Sequence, residues 1–344
     1  MNEVQSIQIS KVTDSLRFIR AADYKPQRNQ RRAMSTALPL CFTGATPPRP
    51  DPGHTPSYIG GALKRIGFEP PAMNRRDKRK FASFVKFYCR KNLKPLTDTD
   101  VPTVPQWLNK TDYTTARRQE LLREWNKYSK NPKSKILRRV KSFIKDETYP
   151  SYKYPRLINS RVDVAKCLFG PLCWAVSKRV FALPQFIKNI PVSQRPEALR
   201  QRIYVPDGEY NATDYTSFES HFTKERMALT TKTLFRHMTS KCGQYLKDIA
   251  ALMFRTLSSN NLIINKMVSF LIEAKRCSGE MDTSLSNGFT NSMNIEYIAW
   301  KENKGVHYFV EGDDGIARWE GKAPSQKAFE DLGWVIKIET SKDL

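Results

Sequence analysis

Apolar positions along this chain change their spacing several times, and each change marks an element. Phe81, Phe84, Val85 and Tyr88 recur at helical intervals behind Arg75-Arg76-Asp77-Lys78-Arg79-Lys80, which predicts an amphipathic helix. Leu121, Leu122 and Trp125 predict a second over Thr114 to Tyr128, its other side rich in Arg, Lys and Glu. Beyond residue 134 the pattern turns β-like. Val140 to Ile144 and Arg156 to Ile158 read as two strands joined by a polar, Pro-punctuated connection, with cations on both arms. Residues 162–205 read as mainly helical, and Leu168 to Phe181 is apolar enough for core. Glu209-Tyr210-Asn211-Ala212-Thr213-Asp214 reads as a strand ending on an aspartate, followed by a helix over Thr216 to His237. Another helix is predicted from near Asp282. Leu285, Phe289 and Met293 share its core face, while Thr283, Asn287 and Asn291 fall at i, i+4 and i+8 as a polar stripe. Finally, Tyr308 to Val310 and Ile316 to Trp319 flank Gly312-Asp313-Asp314-Gly315, a hairpin pattern.

Residues 1–60 lack such periodicity. Thr46-Pro47-Pro48-Arg49-Pro50-Asp51-Pro52-Gly53 is too dense in proline for helix or central strand. With Lys25-Pro26-Gln27-Arg28-Asn29-Gln30-Arg31-Arg32 upstream, this segment reads as a basic N-terminal arm, able to touch RNA or to serve only as a surface strap.

Composition narrows the partner class. The 344 residues are 40% apolar, enough for a substantial core, and 58 Lys and Arg against 34 Asp and Glu leave a net charge of +24. Charge of that size suggests a polyanionic partner, nucleic acid first and an anionic membrane surface second. Cys41, Cys89, Cys167, Cys173, Cys242 and Cys277 form no C-x-x-C pair and have no zinc spacing to His54, His221, His237 or His307, so they read as reduced thiols. The N-terminus has no signal-peptide pattern and no apolar run approaches a membrane span, which reads as cytosolic.

The acidic positions supply candidate chemistry. A hairpin tip bearing Asp313-Asp314 suits a divalent metal, because hard Mg²⁺ takes one or two carboxylates plus substrate phosphates. The same tip would otherwise be an ordinary solvated turn. Asp214 reads either as a metal ligand at a sheet edge or as an acid favoured by a helix N-terminus. The Thr283, Asn287, Asn291 stripe could read ribose hydroxyls, and Gly288 with three Asn nearby is a poor choice for helix stability alone.

In order, a basic hairpin, a strand-end Asp, a Ser-Gly loop with Thr and Asn, and a Gly-Asp-Asp hairpin resemble the palm of a viral RNA-dependent RNA polymerase. Lys145 through Arg161 resembles motif F, and Asp214-Tyr215-Thr216-Ser217-Phe218-Glu219 motif A. Ser278-Gly279-x-x-x-Thr283-x-x-x-Asn287 resembles motif B, Gly312-Asp313-Asp314 motif C, and Leu332 to Glu339 motif D. The resemblance spans roughly residues 130 to 344 and is nearest to tombusvirus- and nodavirus-like positive-strand RNA viruses.

That resemblance implies an α+β right-hand polymerase fold, with fingers and a ferredoxin-like palm. Beyond the arm, residues 61–205 would be mainly fingers and 206–344 mainly palm, with a fingers insertion between motifs A and B. The implied reaction is attack of an RNA 3′-hydroxyl on the α-phosphorus of a ribonucleoside triphosphate, clamped by two Mg²⁺ (or Mn²⁺) about 3.5–4 Å apart. Asp214, Asp313, Asp314 and the Tyr215 backbone carbonyl would hold metal. Lys145, Arg156 and Arg161 would bind the triphosphate. Asn287, Glu219 and Thr283 would read the 2′-hydroxyl, and Ser278-Gly279 would help seat template or nucleotide. Lys337 or Lys342 would be the general acid toward pyrophosphate.

The pattern departs from the family at Glu219, where most members carry Asp. Leu344 also follows motif D closely, so the thumb reads as truncated or absent. An inactive, RNA-binding polymerase fragment is therefore the alternative. A reverse transcriptase and a basic structural protein are more distant rivals. The implied partners are RNA template and product, ribonucleoside triphosphates, other viral replicase proteins and membrane-associated host factors. The implied location is the host cytoplasm, including membrane-associated replication sites reached through partners.

Overall fold

The structure, a computed structural model, describes residues 11–21, 50–128, 134–148 and 153–343. Lys25 to Arg32, Thr46 to Arg49, Cys41 and residues 149–152 of the basic hairpin lie outside the described residues.

The chain is mixed α+β. It opens with strand β1 (Arg17–Ala21) and helices α1 (Thr55–Arg65), α2 (Arg75–Asn92), α3 (Val104–Asn109) and α4 (Thr115–Tyr128). A short α5 (Ser134–Leu137) leads into the hairpin β2 (Arg139–Ile144) and β3 (Leu157–Arg161), then α6 (Asp163–Val180) and α7 (Arg195–Arg202). After β4 (Tyr210–Tyr215) come α8 (Lys224–Met227), α9 (Thr233–Met238) and α10 (Gln244–Leu257), then β5 (Asn260–Ile264) and β6 (Val268–Glu273). The chain closes with α11 (Thr283–Glu302), β7 (Val306–Glu311), β8 (Asp314–Trp319), α12 (Gln326–Glu330) and β9 (Ile336–Ser341). Among the described residues no helix is long and apolar enough to cross a membrane.

The strands build two sheets. The larger is mixed, in the order β1-β6-β5-β2-β3, with β2 and β5 parallel. In β2 the cations Arg139 and Lys141 point out while Val140, Ser142 and Ile144 point in, the period of two that a half-buried strand requires. The smaller sheet is antiparallel, in the order β7-β8-β4-β9. Taken as first to fourth in chain order, its strands lie fourth-first-third-second, with α11 entering β7 and α12 joining β8 to β9. This is the split βαβ, or ferredoxin-like, connectivity. Between β4 and α11 the chain leaves this sheet and lends β5 and β6 to the larger one.

Alternation also decides the small sheet's two faces. Tyr215, Tyr308, Val310, Ala317 and Ile336 pack with Phe289 and Met293 of α11 in the main core. Tyr210 and Phe309 face the other way, onto Ile203 and Leu199 at α7. The 20-residue α11 ends where Asn303 turns left-handed at φ +52°.

Two expectations change. Residues 11–21 are not arm: β1 pairs with β6 through Arg17↔Leu271 and Phe18↔Phe270, and Thr13 N–H donates to Gly67 O. Nor does one helix run from Thr216 to His237. Ser217 is left-handed at φ +51°, a 3₁₀ turn covers Phe218–His221, and α8 starts only after Thr223, whose Oγ1 accepts from Arg226 N at 3.2 Å. Phe218 and Phe222 fold back onto Trp334, with ring centroids at 4.5 and 5.9 Å, and this packing overrides helical continuation.

Candidate active site

Strand register places the acids. Thr213 pairs with Gly315, so one residue further Asp214 comes level with Asp314. Lys337 of β9 stands directly opposite Asp214. Opposed residues share a face, and this face points away from α11. Between β7 and β8 the last pair is Glu311↔Asp314, leaving Gly312-Asp313 as a two-residue turn. Gly312 takes φ +65°, the first position of a II′-type hairpin, where a side chain would be strained.

Asn291 supports that turn from beneath. Its Nδ2 lies 2.9 Å from Asp313 O, 3.1 Å from Asp314 O and 3.4 Å from Gly312 O, while its Oδ1 accepts from the Tyr215 hydroxyl at 3.1 Å. One buried amide thus joins α11, the turn and the end of β4. Gly288, three residues earlier, is explained by closeness: a Cβ there would lie 3.3 Å from Phe186 and 3.5 Å from Gly312 N.

The acids open onto a cleft of about 630 Å³ between the two sheets. Asp214, Asp313, Asp314 and Glu219 line one side, and Arg65, Lys153, Arg156, Lys275 and Arg276 approach from the other. Burial first, then the neighbouring Asp214, raises the Asp313 carboxyl above its ordinary range, while Arg156 and Arg65 oppose the rise. Asp314 is raised by burial and by Asp313, Asp214 and Glu311. Glu219 is raised by burial and Asp313, against the pull of Arg276, Arg65 and Arg156. Lys275 donates to Phe68 O at 2.6 Å and Ser220 O at 2.7 Å, and burial pushes its ammonium down to about 8.

The predicted residues divide into those the cleft gathers and those the scaffold consumes. Asp214, Tyr215, Glu219, Asp313, Asp314 and Arg156 line it. Lys145 lies outside the lining, its Nζ 2.9 Å from Glu147, which also sits 3.7 Å from Arg156 Nε. Arg161 corrects the expectation most sharply. It is 2% exposed, its Nε lies 2.8 and 2.7 Å from the two oxygens of Glu280, and its other nitrogens donate to Leu137 O and Asn261 Oδ1. Burial disfavours its charge, but Glu280 outweighs that and holds the guanidinium above its usual range. Its strand-end position faces inward, so its guanidinium is spent on the fold and lies outside the cleft lining.

Ser278, Gly279 and Thr283 shape a loop. Ser278 Oγ accepts from Asn159 N at 3.0 Å, and Gly279 N donates to Asn159 O at 2.8 Å. A Cβ at Gly279 would come within 2.9 Å of Ser160 Cα, so glycine is needed for this approach to β3. Thr283 Oγ1 donates to Cys277 O at 2.8 Å and accepts from Glu280 N. Asn287 is different: 3% exposed, its Oδ1 has no hydrogen-bond partner among the described residues. Of the two candidate lysines, Lys337 is beside Asp214. Lys342 lies past Ser341, which pairs with Tyr210 at the far end of β4, about 16 Å away along the strand.

Sequence reasoning missed Arg65, Lys275 and the supporting role of Asn291. Gly60-Gly61 was the available signal for Arg65. A Cβ at Gly61 would lie 2.6 Å from Pro155 O, so the pair lets α1 approach the 153–157 segment and carries Arg65 to the cleft. A second group steadies β9. Arg226, buried over the Trp334 ring at 4.1 Å, donates to Leu332 O, Gly333 O and His221 O. His221 Nε2 accepts from Val335 N at 3.2 Å, and burial with the nearby Arg226 lowers its pKa to about 3, so the ring stays neutral.

Asp214, Asp313 and Asp314 offer hard oxygen donors whose mutual repulsion a divalent cation would relieve. No group of three or more His, Cys, Asp or Glu among the described residues is gathered as a ready coordination shell. The set is open and carboxylate-only, the kind that suits a cation completing its shell with water and phosphate oxygens. Comparison of the chain with protein-family models and with curated proteins finds no match.

Proposed function

We propose that this chain is an RNA-dependent RNA polymerase of a positive-strand RNA virus, its small sheet acting as the palm of a right-hand fold. The observation that carries the reading is the placing of Asp214 and Asp314, with Asp313 in the turn between β7 and β8, at one end of a split-βαβ sheet, facing Arg65, Arg156 and Lys275 across a cleft. Divalent cations held by these aspartates and the Tyr215 carbonyl would supply charge neutralisation at the attacking and leaving oxygens.

The chain's own residues do the rest. Arg156 and Arg65 bind the triphosphate by charge and set its direction, while Lys275, its ammonium held on Phe68 O and Ser220 O, adds positive field from the cleft wall. Lys337, exposed next to Asp214, protonates the leaving pyrophosphate. Glu219 lies within electrostatic reach of Asp313, and the unspent acceptor of Asn287 lies on the helix under the turn. Together they favour a ribose with its 2′-hydroxyl. Asn291 keeps the acidic turn in place without touching substrate.

The test is incorporation of ribonucleotides on an RNA template with Mg²⁺ or Mn²⁺. Asp313→Ala is expected to lower the rate about 10²–10³-fold, the scale at which one preorganised electrostatic group acts. Equal activity in the variant and the parent would remove the proposal.

A further inference from the structure

A second strongly cationic depression lies outside the cleft. A cavity of about 580 Å³ between α9 and α10 adjoins one of about 520 Å³ between α2 and α9; the two share Lys232 and Arg236. None of their lining residues lines the carboxylate cleft. Lys86, Arg90, Lys232, Arg236, Lys247 and Arg255 ring the pair, no acid is among the lining residues, and all six cations are exposed. None has an ion-pair partner among the described residues. Asp248, beside Lys247, accepts from Gln244 Nε2 instead.

With a net charge of +24 a lone surface cation is ordinary in this protein; what marks this groove is that six of them share one depression with no acid among its lining residues. Their repulsion costs stability that a polyanion would recover. We propose that this groove binds a single strand of RNA, at a site separate from the cleft; the proposal rests on the reading that the chain handles RNA.

Three features favour RNA over an anionic membrane or an acidic protein helix. Lys86 and Arg90, like Lys232 and Arg236, are one helical turn apart, about 6 Å, a spacing that successive phosphates of an extended strand can follow. Lys247 and Arg255 extend the row by about 12 Å along α10. The apolar floor of Phe235, Ala250 and Phe254 is recessed, out of reach of a flat bilayer, and Lys232 Nζ stands 4.9 Å over the Phe254 ring. Phe254, half-buried beneath the cationic rim, is the ring of this lining that a base could stack on, whereas Phe235 is sealed in the core.

The experiment measures binding of a fluorescent 12-nucleotide oligouridylate to the full chain across a salt series. Arg236→Glu with Arg255→Glu is expected to weaken binding at least tenfold at 0.1 M salt. The slope of log affinity against log salt should become shallower by about 1.4, from two lost phosphate contacts at about 0.7 each. Lys232→Gln with Lys247→Gln, a milder change, should weaken binding in the same direction and decides the matter if the charge reversal disturbs folding. Affinity within twofold of the parent in both variants would overturn the groove. So would loss of binding to phosphatidylserine vesicles or to an acidic helical peptide while RNA binding persists. If the parent incorporates no nucleotide yet the groove variants lose RNA, the polymerase reading fails and the groove stands.

Discussion

The two sides of the cleft solve opposite electrostatic problems. On the small sheet, Asp214, Asp313 and Asp314 are held close by strand register and by Asn291, against their own repulsion. On the larger sheet, Arg156 and Arg161 sit five residues apart with opposite fates. Arg156 reaches the cleft, while Arg161 is buried against Glu280. Asp214, Asp314 and Arg156 stay exposed at the cleft, Arg156 with Glu147 3.7 Å from its Nε. Charges spent on structure are paired and sealed. The contrast teaches that cationic residues in one motif are not interchangeable, and that the acids are where folding stability has been surrendered.

The sharpest way to break this comparison is at Arg161. Arg161→Ala leaves Glu280 buried without its partner and should cost about 3–5 kcal/mol in urea unfolding. A loss below 1 kcal/mol would mean the pair is not structural. Next comes Lys337. Lys337→Ala should lower turnover on the order of 10²-fold, and it should flatten the alkaline fall of the pH–rate profile. Lys342→Ala should change neither. Equal loss in both would deny that register with Asp214 selects the acid.

The smallest effect concerns stability and pH. Burial and like charge raise the Asp313 carboxyl. A carboxyl raised on folding contributes its stability fully below the unfolded value, about 3.9, and loses it as pH rises through the folded value. At pH 7 the charged Asp313 is therefore a net cost, and Asp313→Asn should stabilise the fold on the order of 0.5–1 kcal/mol after solvent screening. The gain should vanish below pH 4. A gain that persists there would show that packing rather than charge is responsible.

Much was legible in the chain because it is local. β-prone runs marked β2, β4, β7, β8 and the first residues of β3, and Gly312-Asp313-Asp314-Gly315 marked a hairpin, of which the fold uses Gly312-Asp313 as the turn. The α11 stripe was visible as spacing, but its use was not. Thr283 and Asn291 bond the chain itself, and Asn287 alone keeps an unpaired acceptor. Residues 216–223 looked helical because propensity is summed over neighbours, whereas Trp334, more than a hundred residues away, pulls Phe218 and Phe222 into a tight turn.

The sequence by itself determined the acidic turn, the strand-end aspartate and the cationic excess, because turn chemistry, alternation and net charge are properties of short stretches. Only the tertiary structure decided which charges meet. Register set Lys337 rather than Lys342 beside Asp214, the close approach at Gly61 brought Arg65 to the cleft, and the inward face of β3 took Arg161 out of it. Those outcomes depend on pairings between distant segments, whose partners no local pattern specifies.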